Sequence, residues 1–519
     1  MMAYYSLAFL AFVVIFIILH GLIGDIAPRF QWVIRLIAGL SFFAYVSGIN
    51  IIFIMVSAVS IWYGGLLLYG ISKKGKELRK SPDISTEEKK ALKSKTQTRM
   101  RLVLFALVAF NIGLLIYAKY VSPSTHHPIA LPLGISFYSL MAVSYLVDVY
   151  GEKYEPQKNF GKMLLYLCWF PQLIQGPINR YDTLKETLYG EYRLHAPQFR
   201  TAVYLFLFGA IKKYAIADLL APIVNACLNN NSAQYPGSYL LFGAFLFAVE
   251  QYADFSGGID MSVAVSLLFG VKMDENFRQP YFSTSLANFW RRWHISLGSW
   301  MRDYVFYPFA TLKPVSKLNR YVSKRFGNHA GRAVIGGISN ILVFALVGLW
   351  HGREYHYLLW GLYNGFIIAI SDALEPAFSR LNRFIGIKED SRMMFCFRVL
   401  RTFMIVVFAG YFDVIGPVRT GLACFVNTFA SFKALTGIQM IGALFTDNIT
   451  SVQGIVTAGI ATVLLIIYST LRERGISPVD RICTRAFYVR WTVFFPLLGL
   501  LLYSFTCSSG MRGFMYAAF

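Results

Sequence analysis

Apolar positions along this chain come in unbroken blocks rather than in alternation with polar ones. Residues 3–19 (AYYSLAFLAFVVIFIIL), 49–71 (INIIFIMVSAVSIWYGGLLLYGI) and 454–471 (GIVTAGIATVLLIIYSTL) are three of them. A helix needs about 17–25 mostly apolar residues to cross a hydrocarbon core. In lipid the helix is also forced, because every backbone donor and acceptor must be paired within its own segment. The same pattern predicts spans at 3–24, 30–47, 49–71, 102–121, 130–150, 160–176, 200–222, 238–270, 333–350, 355–373, 394–412, 454–471 and 490–508. Pro171 interrupts 160–176, and 295–312 is short and mixed, so re-entrant pieces are expected there. The predicted fold is all-α and polytopic: about 11 transmembrane helices plus re-entrant segments, in one integral membrane domain over 1–519. The first block has no basic residue before it and no small-residue cleavage pattern after it, and it reads as a retained span.

Composition agrees: 56% of residues are hydrophobic and 15% charged, where a soluble chain carries about 25% charged residues. The formal net charge of +22 would suggest nucleic acid until it is located. It lies between the apolar blocks, in 73–101, 313–332, 376–401 and 472–490. Basic residues flanking spans mark cytoplasmic loops and meet anionic lipid headgroups, so membrane lipids are the expected partner and nucleic acid is not. Placing all four segments inside puts both termini, and the weakly charged 413–453 loop, on the extracytoplasmic side. The six cysteines lie far apart with no CxxC pair, which suggests neither a metal site nor a disulfide framework.

Three stretches carry candidate chemistry. Residues 250–260 (EQYADFSGGID) place Glu250, Asp254 and Asp260 in or beside an apolar run. Ionisable groups at membrane depth usually face a cavity or a partner, although an interfacial turn with solvated acids fits the same letters. Gly257-Gly258 allows a kink or a close backbone approach. Residues 289–304 (FWRRWHISLGSWMRDY) put Trp290 and Trp293 on one helix face, beside Arg291 and Arg292. A Trp-Arg cluster is also what an interface belt looks like, but a belt leaves His294 unexplained. In 346–365 (LVGLWHGREYHYLLWGLYNG), His351 falls at the junction of two apolar segments between Gly348 and Gly352. A histidine suits general-base work near neutral pH; a structural hydrogen-bonder at a helix end fits as well. His126-His127 sits between prolines in a polar loop, and His20, His195, His329 and His356 have no partner pattern. No nucleophile elbow, metalloprotease helix or phosphate loop is present.

Residues 276–308 (NFRQPYFSTSLANFWRRWHISLGSWMRDYVFYP) resemble the signature of the bacterial membrane-bound O-acyltransferase family. Supporting matches are LPLGISFYSLMAVSYLVDVY at 131–150, FPQLIQGPINRY at 170–181, QYADFSGGIDMS at 251–262 and GLWHG at 348–352. They occur in the family's order over roughly 130–365, with the helices of 394–508 following. The resemblance implies a catalytic base at His351 and a second active-site residue at His294, on facing helices around a central channel. Trp290, Arg291, Arg292, Trp293, Asp254 and Asp260 are expected along the substrate path, with Arg291 and Arg292 serving an oxyanion or a carrier phosphate. An acyl-enzyme on Cys168 or Ser296 has nothing in the sequence to activate it.

The resemblance further implies a bacterial cytoplasmic (inner) membrane and an acyl donor in the form of acetyl-CoA or an acyl-carrier thioester, with no bound cofactor. The acceptor would be an extracytoplasmic cell-envelope polysaccharide. Expected partners are an acyltransferase- or esterase-like protein outside the membrane and an acyl carrier protein inside. Helices continuing past GLWHG favour alginate-type O-acetylation over D-alanylation of teichoic acid. The C-terminal FMYAAF (514–519) matches the family's aromatic tail only in part, which leaves the partner's identity open. The rival class is a transporter or lipid flippase, against which no pair of matching interrupted helices appears in the two halves.

Overall fold

The structure is a computed structural model and describes residues 6–82, 84–125, 128–508, 510 and 512–514. His126-His127 and most of the C-terminal FMYAAF lie outside the described residues. The described residues are helical and contain no strand; one isolated antiparallel bridge joins Phe277 and Trp293. Eight helical segments among them are long and apolar enough to cross a membrane. The chain divides into two compact units, one of Met1–Ala202 with Ser262–Asp274, the other of Val203–Met261 with Glu275–Phe519.

In the first unit, Leu7–Ile26, Gln31–Ser47, Ile51–Arg79, Thr86–Ile116 and Ile135–Tyr150 follow the predicted blocks. Many apolar side chains point outward, including Ile26, Leu102 and Phe105, as helices facing hydrocarbon tails require. Ser85 starts Thr86–Ile116 with a capping box to Glu88, pairing two otherwise orphaned amides. The expected break in 160–176 falls at Trp169, between Phe160–Cys168 and Phe170–Gln175, with Pro171 in the first turn of the second helix. Arg35 is fully buried, and its guanidinium donates to the carbonyls of Leu188 (2.8 Å), Gly190 (2.9 Å) and Phe269 (3.0 Å). Carbonyl dipoles take the place that water gives up when a cation is buried.

The second unit holds the candidate chemistry. Residues 250–260 do not form a turn: Gly237–Leu268 is one continuous helix. Gly257 instead permits close approach, since a Cβ there would lie 2.7 Å from the carbonyl oxygen of Gly209. Asn328–His351 and Tyr355–Phe384 form a tight hairpin, in which a Cβ on Gly365 would sit 2.9 Å from the Cα of Ile341. Small residues at helix contacts permit this where lipid supplies no hydrophobic drive. Two segments that the charge pattern leaves as loops are helical. Residues 413–453 contain Val418–Ala430 and Ala434–Thr446, and 313–332 contains Lys313–Phe326. These helices are too short or too polar to cross, so a search for spans passes over them.

Candidate active site

His294 is placed by a short clasp of backbone. Asn276–Arg278 runs against Arg292–Ile295: Arg278 N donates to Arg292 O (2.9 Å) and Ile295 N donates to Asn276 O (3.0 Å). The clasp carries His294 into the left-handed region, φ 46° and ψ 53°, just before the helix Ile295–Met301. That conformation costs roughly 1–2 kcal/mol in a residue with a Cβ and persists where the surroundings over-determine it. They do so here. Asn276 Oδ1 lies 3.1 Å from His294 Nδ1, Phe255 packs edge-on at 4.8 Å between ring centroids, and Trp350 is at 6.2 Å. Burial pushes the imidazole down to about 3, so the ring is neutral at physiological pH.

His351 is the last residue of Asn328–His351. Trp350 and Trp360 meet its ring edge-on at 5.2 and 5.0 Å, and Tyr357 stacks at 6.2 Å. The glycine-mediated hairpin sets this box, because Tyr357 and Trp360 belong to the returning helix. The indole of Trp350 therefore packs against both histidines.

A cavity of about 1050 Å³ opens beside His294. Trp290, Arg291, Arg292 and Trp293 all line it. Arg278, Arg302 and Arg472 add positive charge, against the carboxylates of Glu275, Asp372 and Glu473. Glu473 pairs with Arg292 at 2.7 Å. Trp290 is fixed by its Nε1 donating to Asn364 Oδ1 (3.2 Å) and by edge packing on Trp360 (5.5 Å). His351 is not among the lining residues, and neither are Asp254 and Asp260. Those two acids hold lysines instead: Asp260 pairs with Lys212 at 2.6 Å, and Asp254 pairs with Lys213.

Five arginines around a cavity suit a polyanion, because each guanidinium offers a planar fork to phosphate oxygens. A neutral imidazole at the wall suits proton acceptance. Sequence reasoning assigned no role to Asn276, and it did not single out Lys212 or Lys213. The lysines were findable as cations within the apolar 200–222 run. Asn276 carried no such signal.

Residues 157–414, which contain both histidines and the clasp, match the model of the MBOAT, membrane-bound O-acyltransferase family. The chain is 35% identical over 266 residues to the probable alginate O-acetylase AlgI of Azotobacter vinelandii, covering 51% of this chain and 49% of that one. It is 31% identical over 268 residues to the teichoic acid D-alanyltransferase of Bacillus subtilis, covering 49% and 62%. It is 27% identical over 278 residues to the peptidoglycan O-acetyltransferase of Helicobacter pylori, covering 48% of each. The chain thus spans about half the length of the curated relatives it matches.

Proposed function

This chain belongs, through residues 157–414, to the membrane-bound O-acyltransferase family, and from that premise we propose that it moves an acetyl group from a thioester donor to hydroxyls of a cell-envelope polysaccharide. The donor is acetyl-CoA or an acyl-carrier thioester on the cytoplasmic side, and the acceptor is extracytoplasmic. The observation that carries the reading is a buried His294 at the wall of an arginine-rich cavity, with His351 held against the same indole.

A thioester is activated enough that catalysis needs mainly an oriented nucleophile, a base and stabilisation of the developing oxyanion. The acceptor hydroxyl attacks the thioester carbonyl and yields its proton to His351. The C–O bond forms, the C–S bond breaks, and His351 passes that proton on to the departing sulfur. Arg291 and its neighbours hold the donor's phosphates. The similarity to the alginate O-acetylase favours an acetyl group, and the D-alanyltransferase relative keeps a D-alanyl group as the alternative cargo.

The test compares cells carrying the wild type, His351→Ala and His294→Ala at matched membrane levels. Base-labile acetyl and D-alanyl esters on the envelope polymers are quantified by mass spectrometry. Loss of one ester class in the His351 variant supports the reading and names the acyl group. Unchanged ester in both variants removes it and turns attention to transport.

A further inference from the structure

Asn276 is 1% exposed and meets three polar groups through one atom. Its side-chain oxygen lies 3.1 Å from Ser296 N, 2.8 Å from Ser296 Oγ and 3.1 Å from His294 Nδ1. A backbone N–H can only donate, so the atom facing Ser296 N is the amide oxygen and not the nitrogen. That oxygen cannot donate to His294. The contact is favourable only when Nδ1 carries the proton, which leaves the lone pair of the neutral ring on Nε2.

Two further features fit a residue retained for its oxygen. Asn276 Nδ2 makes no hydrogen bond among the described residues, and a buried orphan donor costs about 1–3 kcal/mol. The backbone carbonyl of Asn276 is also locked, accepting from Ile295 N at 3.0 Å, so main chain and side chain bracket His294 together. An aspartate would satisfy the same three donors without an orphan N–H, but its charge would stabilise the imidazolium. A neutral acceptor selects the tautomer and leaves the ring uncharged.

We infer that Asn276 is the positioning residue of the acyl-transfer site: it holds His294 as the Nδ1–H tautomer, so that this ring presents Nε2 as a hydrogen-bond acceptor. The inference rests on the proposed reading of His294 as an active-site residue.

The experiment uses permeabilised membranes carrying the full chain, given acetyl-CoA labelled in its acetyl group, with polymer ester measured from about pH 5 to 9. Asn276→Leu is expected to lower kcat on the order of 10²-fold while KM for acetyl-CoA stays within about twofold. Asn276→Asp is expected to retain activity at alkaline pH. Its acid limb moves up by about one to three pH units, because the carboxylate favours the protonated ring. If His294→Ala abolishes transfer while both Asn276 variants keep the wild-type kcat and pH profile, the inference is overturned and the proposed function stands. If His294→Ala transfers at the wild-type rate, the role of His294 falls and the inference with it. Should Asn276→Leu fail to accumulate in the membrane, the acid limb of Asn276→Asp decides alone.

Discussion

The ion pairs of Lys212 and Lys213 and the rings of His294 and His351 lie in the same compact unit and are similarly buried, but their surroundings differ in kind. Lys213 is 2% exposed and is met by Asp254, by Asp218 at 2.9 Å and by the carbonyl of Gly513 at 3.0 Å, with the ring of Phe514 at 4.9 Å. Lys212 lies against Asp260 and the rings of Tyr252 and Tyr468. The histidines have aromatic walls, and His294 meets the neutral amide of Asn276 and borders a cavity. A fully compensated charge reads as part of the frame. A neutral titratable ring beside open volume reads as a place where chemistry can occur. Both patterns put polar letters into apolar sequence, and the partners tell them apart.

The largest expected effect tests the histidine side of that contrast. His351→Gln should lower ester formation by about 10²–10⁴-fold while the thermal melt of the purified protein stays near wild type. A matching loss of stability would make His351 part of the frame as well.

On the other side, Lys213→Met leaves Asp254 and Asp218 buried without their shared cation. Removing one partner of a buried pair costs about 3–5 kcal/mol, which should appear as a large drop in detergent-solubilised melting temperature. Adding Asp254→Asn should recover part of it; no recovery would show that packing, not charge, is at stake.

The smaller effects concern the cavity itself. Arg291 is exposed and lines it, so Arg291→Gln should raise KM for an anionic donor about tenfold with kcat little changed, since a charge-assisted hydrogen bond contributes about 1.5–3 kcal/mol. Glu473→Gln frees Arg292 from its 2.7 Å partner. It should lower that KM about twofold, the opposite sign, because the cavity gains net positive charge. Identical shifts in both variants would argue that the arginines act through packing.

Much of the frame was legible before the structure. The apolar blocks at 333–350, 355–373 and 454–471 correspond to Asn328–His351, Tyr355–Phe384 and Val452–Glu473, because the hydrocarbon thickness fixes the length of a spanning helix. The WRRWH stretch read equally as an interface belt, and the structure places Trp290, Arg291, Arg292 and Trp293 along the volume beside His294. Asp254 and Asp260 stand opposite lysines and do not line that volume. Hydropathy reveals that a charge lies in an apolar run, not whether Lys212 or Lys213 stands opposite it.

Length, apolar periodicity and the distribution of positive charge therefore determined a helical membrane protein and its approximate spans. These are properties that each segment expresses in lipid on its own. The tertiary structure decided the rest: that residues 250–260 continue a helix, that Trp350 packs against both histidines, and that Asn276 Oδ1 meets His294 Nδ1. The physical reason is range. Backbone pairing within a helix is local, while a hydrogen bond between residues 294 and 276 or an indole shared by two rings depends on how separate segments pack.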